Sequence, residues 1–458
     1  MTLSSWCRCA FQRVKQGMVM ARVVWRTLLV ALVAEAALCG EVGRLAAARE
    51  PGWPQWRGPR RDGISDEKGL LQEWPEGGPK LLWAAEGLGR GWSSPIIVNG
   101  TIYITGDVGE DLVIFALDLE GKEKWRSKNG RSWKGSYQGA RGSCTYDEGR
   151  LYHINAHNRI ACFDAADGKE LWAVDLIARF AGRNIAWAIA HHPLIDGSRV
   201  IVTPGGKKAL MAALDKTTGE TVWASEPLLF ERTTRFGKGA KLPQPVREAD
   251  APGYASPILF ELGGRRHIVN CSARHAFGVD ADTGKLLWTQ PMPTTWEVLA
   301  VTPVLYKDCV FVTGPDGRGG VLFRIVVEGG KIRTEEVWTS DMDTCHGGVI
   351  ALGDVLWGSW YRHFNGVGCI DALTGKTLHR TSELSMGSLL YADGRLYYLA
   401  QRGQMALIKP DPQDFRIISR FTFADGKRND VWAHPVILDG RLYLRHHDKL
   451  ACYDVQAK

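Results

Sequence analysis

Few residues of this 458-residue chain stand in patterns that could do chemistry. Thr344-Cys345-His346-Gly347-Gly348 sets a thiol beside an imidazole, the pairing used by reactive cysteines and by soft-metal sites. No second Cys or His lies close to it in sequence, so a plain loop is the simpler reading. His446-His447-Asp448 has the composition of a metal cluster, but successive strand residues point to opposite faces, and the expectation is a hairpin end. Glu297, next to Trp296, is the acidic side chain best placed for a site. No Ser-His-Asp pattern and no phosphate-binding loop is present. After residue 48 the cysteines are Cys144, Cys162, Cys271, Cys309, Cys345, Cys369 and Cys452, an odd set whose spacing fits neither zinc nor a disulfide framework.

The elements that must position these groups are set by a repeat. A short apolar strand is followed by a two-residue turn, then by a strand rich in Tyr, Ile and Val. A strand ending in Asp comes next, then a Gly-containing turn and a last strand opening on Lys-x-x-Trp. Clear copies begin at Ser93, Ser143, His191 and Ala255, and weaker ones follow, the last ending at the C-terminus. The first turns, such as Asn99-Gly100, Asp393-Gly394 and Asp439-Gly440, are pairs that tolerate the positive φ of tight hairpins. Asp164, Asp215, Asp280 and Asp371 each precede a Gly by four residues, which reads as a turn with the carboxylate accepting backbone N–H groups. With 18 Trp and 52 Gly, this is the signature of short strands and tight turns.

Four strands per repeat and eight repeats predict an all-β, eight-bladed β-propeller with four-stranded antiparallel blades. The eighth repeat lacks its last strand, while Lys80-Leu81-Leu82-Trp83 looks like Lys285-Leu286-Leu287-Trp288 near the other end. Residues 80–87 are therefore expected to close the last blade and remove an open edge. The repeated Trp83, Trp125, Trp172, Trp223, Trp288 and Trp338 are read as packing between blades. Cys162, Cys369 and Cys452 share a position held elsewhere by Ala116 or Gly278, so they act as small apolar side chains.

The Val279-Asp280-Ala281-Asp282-Thr283-Gly284-Lys285-Leu286-Leu287-Trp288 pattern resembles the pyrroloquinoline quinone (PQQ) repeat, and the resemblance covers residues 80–458. Together with Trp53–Ser65 it is similar to exported, stand-alone PQQ-like propellers of bacterial envelopes, whose best-understood relative by architecture is the propeller lipoprotein of the outer-membrane barrel-assembly machinery, a scaffold. The other branch of that superfamily, the quinoprotein dehydrogenases, would imply a stacked PQQ, a calcium held by acidic and amide side chains, a catalytic Asp and often an adjacent Cys pair. This sequence has no Cys-Cys dipeptide and no evident set of such ligands. The expectation is a binding or scaffolding module without cofactor, metal or catalytic residue, the alternative being a PQQ- and calcium-dependent oxidoreductase.

Residues 1–48 read as an export signal, with Arg22 and Arg26 before the apolar stretch Leu28–Leu38 and Ala46-Ala47-Ala48 at the cleavage point. The alternative is a retained anchor, in either case the chain's contact with a membrane. The expected location is the periplasm or outside the cell. Residues 49–79 form an extended lead segment. Most of the net charge of +7 sits in the first 48 residues, which speaks against nucleic acid as a partner. The segment Glu226–Gly253, with Arg232, Arg235, Lys238 and Lys241, is the longest insertion and covers one face or remains a solvated loop.

Aligning the repeats places Trp92, Arg141, Ala190, Tyr254, Ala300, His346, Met386 and Trp432 at one position, just before the strand that lines the central channel. A packing position would repeat one residue type, and this ring does not. The expected site, for a small ligand or an envelope protein bound by a monomer, is the channel mouth, with Trp92, Arg141, Tyr254, Glu297, His346, Trp432 and His434.

Overall fold

The computed structural model describes residues 52–237, 239–428 and 430–458. The expected export signal at 1–48 and Lys238 lie outside them.

Each repeat folds as one antiparallel sheet of four strands, and eight such sheets follow one another round a ring. In blade one the inner strand Ile96–Val98 pairs with Thr101–Val108, then Asp111–Leu117 and Glu123–Arg131. The turn between the first two is left-handed at both residues, Asn99 at φ 50° and Gly100 at φ 70°, as the twist of the flanking strands demands. The Asp-to-Gly turns work as the spacing implies. Asp280 Oδ1 accepts the N–H groups of Asp282 and Thr283, and Gly284 sits at φ 73°.

The repeated tryptophans join neighbouring blades. Trp125 Nε1–H donates to Ala165 O and Trp172 Nε1–H to Lys216 O, in each case on the next blade's turn. The turn glycine lies under the indole: a Cβ on Gly168 would stand 2.5 Å from the Trp125 ring, and one on Gly284 2.3 Å from the Trp223 ring. The small-residue position faces the same tryptophan across the sheet, with Cys162 opposite Trp172 and Gly278 opposite Trp288. Cys162, Cys369 and Cys452 are buried free thiols there.

Lys80–Ala85 forms the outer strand of blade eight, antiparallel to Lys449–Asp454, with Lys80 opposite Asp454 and Ala85 opposite Leu450. The strand stops two residues short of the expected 87. Gly87 has turned away at φ 82°, and its N–H is held by the Asp448 carboxylate at 3.0 Å.

The lead segment is not simply extended. Gly52–Trp53 adds to the inner strand of blade one, and the chain then folds as a tight loop inside the channel. Arg57 and Arg61 adopt left-handed backbone at φ 60° and 56°, beside Gly58 and Gly63 at 84° and 76°. Both arginines are buried. Arg57 donates to Val349 O at 2.7 Å, while Arg61 donates to Pro257 O at 3.1 Å, to Gln55 Oε1 at 2.9 Å and to Pro193 O. Trp56 Nε1–H reaches Thr302 Oγ1 at 3.1 Å, and its ring stacks on His192 with centroids 4.2 Å apart. The chain leaves along blade seven through the parallel bridge Ile64–Tyr391. The segment is thus a plug in which Arg61 is bonded to carbonyls at the inner ends of the blades. Arg57 shares one Nη between Val349 O and Asp62 O, and its Nε and other Nη have no hydrogen-bond partner among the described residues.

The insertion is a hairpin, Leu229–Thr234 against Lys241–Ala249. It is clamped to the face that bears the channel mouth, where Arg232 pairs with Glu248 at 3.0 Å and with Glu297.

Candidate functional site

The plug divides the channel. Above Trp56 lies a cavity of about 350 Å³. Its wall includes seven of the eight ring residues: Trp92, Arg141, Ala190, Tyr254, Ala300, His346 and Trp432. Met386 is buried and does not line it. Of the seven expected site residues, Trp92, Arg141, Tyr254, His346 and Trp432 face the cavity, whereas Glu297 and His434 do not. Glu297 is spent on Arg232 and, at 3.1 Å, on Arg274, so it anchors the hairpin. His434 lies behind the floor, its ring centroid 4.5 Å from Trp56 and its Nε2 3.0 Å from His346 O. Residues two apart along a strand share a face, and at the position two residues on from the ring His192 and Ser256 do reach the cavity, whereas His434 packs against Trp56.

Several lining groups escaped the alignment because loops and the plug bring them in. Trp56 is the floor. Trp187 and Trp296 meet edge to face at 6.1 Å, backed by Phe236 of the hairpin, 5.7 Å from Trp296. Tyr137, Tyr361, Arg362 and Asp316 complete the rim. Their only sequence signal was aromatic residues in loops of unusual length. Trp92 and Trp432 stack at 5.2 Å, His346 packs on Trp432 at 4.8 Å, and Tyr137 of the rim joins the same cluster at 5.4 Å from Trp432.

The electrostatics of this cavity are simple. Arg141 lies over the Trp92 ring, 5.1 Å from its centroid, and its hydrogen bonds go to carbonyls of its own loop, including Ser136 O at 3.2 Å. Burial pulls its pKa down to about 10, against the pull of Asp107 and Tyr254. The guanidinium still carries its charge at neutral pH. The one lining carboxylate, Asp316, is 3.6 Å from Arg362. Burial pushes the Cys345 thiol up to about 12 and holds His346 at about 4, so the Cys–His neighbours are a neutral thiol and a neutral imidazole rather than an activated ion pair. What remains is a set of aromatic faces with one cation, which suits a flat or ring-shaped group bearing negative charge.

The family model described as "Outer membrane protein assembly factor BamB" matches residues 109–381. The chain belongs to this BamB-type family of PQQ-like propellers. Curated relatives come from the other branch of the superfamily. The 1-butanol dehydrogenase (quinone) of Thauera butanivorans is 27% identical over 157 residues, which is 32% of this chain and 22% of that protein. The quinohemoprotein alcohol dehydrogenase ADH IIB of Pseudomonas putida is 29% identical over 146 residues, 31% of this chain and 19% of that one. The matched stretch therefore spans about a fifth of the length of these curated relatives. Among solved structures, BamB from Moraxella catarrhalis superposes with TM-score 0.56 at 16% identity, covering 82% of this chain and 98% of that one. A europium-containing methanol dehydrogenase does so with TM-score 0.59 at 15% identity, covering 86% and 89%. At such identities the likeness is one of fold.

The dehydrogenase branch raises the question of a calcium-bound quinone at the mouth of this BamB-type propeller. Calcium takes six to eight oxygen ligands, several of them carboxylates. The cavity offers one carboxylate, already beside Arg362, and no Asn or Gln, and its single Cys has no neighbouring Cys to pair with. The residues present do not fit a calcium–quinone centre.

Proposed function

We propose that this chain is an exported binding propeller of the cell envelope, whose mouth cavity receives a ring-bearing anionic group carried by a small ligand or by an envelope protein. The observation that carries this reading is the aromatic cavity above Trp56 with Arg141 as its one cation unpaired with a carboxylate among the described residues. The stacking faces supply apolar contact, and the guanidinium supplies direction and selectivity for charge. Export is supported by the signal-like residues 22–48 and by a family whose description names the outer membrane. The scaffolding role of an assembly factor is consistent with a rigid ring presenting one concave face.

The test is a binding titration by intrinsic Trp fluorescence and calorimetry. Its probes are aromatic carboxylates and PQQ, each with and without calcium, and a parallel capture is run from an envelope extract. Saturable binding of a ring-bearing anion, or capture of an envelope protein, is expected, weakened at least about tenfold by Arg141→Gln with an unchanged melting curve. Binding indifferent to Arg141→Gln would sink the placement of the site. The quinone dehydrogenases among the curated relatives favour a second reading, a PQQ-dependent oxidoreductase. PQQ binding that requires calcium, followed by dye-linked alcohol oxidation, would replace the binding reading with that one.

A further inference from the structure

Beside the mouth, on the same face, His446 ends the second strand of blade eight and His447 opens the turn to the third. The expectation from sequence was that adjacent residues here point apart. They do not, because His447 is left-handed at φ 48° and its ring swings to the side of His446. Their ring centroids are 4.6 Å apart. Both Nε2 atoms converge on one carboxylate: His447 Nε2 is 2.8 Å from Asp430 Oδ2, and His446 Nε2 is 3.3 Å from Asp430 Oδ1. One ligand atom from each of the three can be chosen so that all lie within 4.8 Å of one another. Among the described residues no other His, Cys, Asp and Glu side chains form such a group.

That spacing is close to what a tetrahedral ion needs. Zn–N and Zn–O bonds of about 2.0–2.2 Å put neighbouring ligand atoms roughly 3.3 Å apart, so rotamer-scale adjustments suffice. The backbone around the group is held in advance. Buried Arg445 donates from Nε to His447 O at 2.9 Å, Trp92 Nε1–H donates to Asp430 O at 2.9 Å, and Asp448 accepts from Gly89 N at 2.7 Å. Asp430 is buried and the two imidazoles are partly so, and they border an open hollow of about 660 Å³ that leaves room for a fourth ligand. The charged groups sharing the hollow balance in sign, with Arg90, Lys427 and Arg428 against Asp107, Asp425 and Asp448.

We infer that Asp430, His446 and His447 form a binding site for one divalent transition-metal ion of the zinc class, with its fourth position open to solvent. Two imidazoles and one carboxylate are a donor set for zinc and its neighbours in the first transition row rather than for calcium or magnesium. None of the three residues lines the mouth cavity, so the site stands whether or not that cavity binds a ligand.

The experiment uses the full chain, stripped with chelator and dialysed against Zn²⁺ and, separately, Co²⁺. The wild-type protein should retain one ion per chain, raise its melting temperature with Zn²⁺, and show the intense visible absorption of tetrahedral Co²⁺. His446→Ala and Asp430→Asn should each weaken retention by at least about tenfold, since even outer-shell changes at metal sites cost 10- to 100-fold. His363→Ala, an exposed histidine elsewhere, should leave it unchanged. His446 is partly exposed, so His446→Ala keeps the test available where Asp430→Asn fails to fold. No retained metal, or metal retained equally by both variants, overturns the site and leaves a hydrogen-bonded His–Asp cluster only.

Discussion

The two halves of the central channel are built from the same inner strands and do opposite things. Below Trp56 the lead loop occupies the channel beside a pocket of about 210 Å³: Arg57 and Arg61 are buried, and they donate to Val349 O, Pro257 O and Pro193 O of three different blades. Above Trp56 it is open, and Arg141 makes only local hydrogen bonds under a roof of aromatic rings. All three arginines are pulled below their ordinary pKa by burial. What separates them is therefore where the partners lie: Arg57 and Arg61 bond carbonyls of distant blades, whereas Arg141 bonds only carbonyls of its own loop and faces the open aromatic cavity.

The largest test of this contrast is Arg61→Ala. It strands Gln55 Oε1 and two proline carbonyls and opens a cavity, so unfolding free energy in urea should fall by about 3–5 kcal/mol. A loss below about 1 kcal/mol would mean the plug is not integral to the ring. The boundary itself should be sensitive to acid. Burial, joined by the charge of a plug arginine, holds His434 at about 3 and His192 well below its usual value. A base whose folded pKa is depressed leaves the unfolded chain binding the extra proton. Stability is therefore intact above about pH 6.5 and declines toward pH 4, by as much as about 1.4 kcal/mol per pH unit for each histidine. Denaturant midpoints across that range should show this slope, and His434→Gln should flatten it.

In the open half, Arg141→Gln should cost less than about 1 kcal/mol of stability while removing about 1.4 kcal/mol or more of ligand affinity. Equal losses in both would erase the distinction between the halves. The smallest effect belongs to the rim. Arg362 is mostly exposed and its pairing with Asp316 is 3.6 Å long, so Arg362→Ala should stay within about 0.5 kcal/mol in stability, with any change in binding appearing as salt dependence.

The repeat was legible because it is enforced locally. Turn glycines must take positive φ, turn aspartates must accept nearby N–H groups, and each indole must fit the adjacent blade; these needs recur at fixed spacing and leave a periodic trace. The ring of Trp92, Arg141, Tyr254, His346 and Trp432 could be found from the same alignment, since its members break a pattern that packing would otherwise impose. The floor and the flanking wall could not. Trp56 reaches the mouth because residues 54–63 fold into the channel, and Trp187 and Trp296 are held there by a hairpin anchored through Glu297. None of these contacts is periodic. Asp430 and the His446–His447 pair were likewise hidden, because a single left-handed residue reverses the direction that strand alternation assigns.

By itself the amino-acid sequence determined the eight blades, their closure by the strand at Lys80, the structural character of the repeated Trp, Asp and Cys residues, and the ring position that escapes the repeat. Only the tertiary structure decided that the lead segment plugs the channel, which half of the channel stays open, and which side chains converge across the mouth. The physical reason is range. Turn geometry and strand pairing depend on residues a few positions apart, whereas a cavity is what remains after segments distant in sequence have filled the space around it.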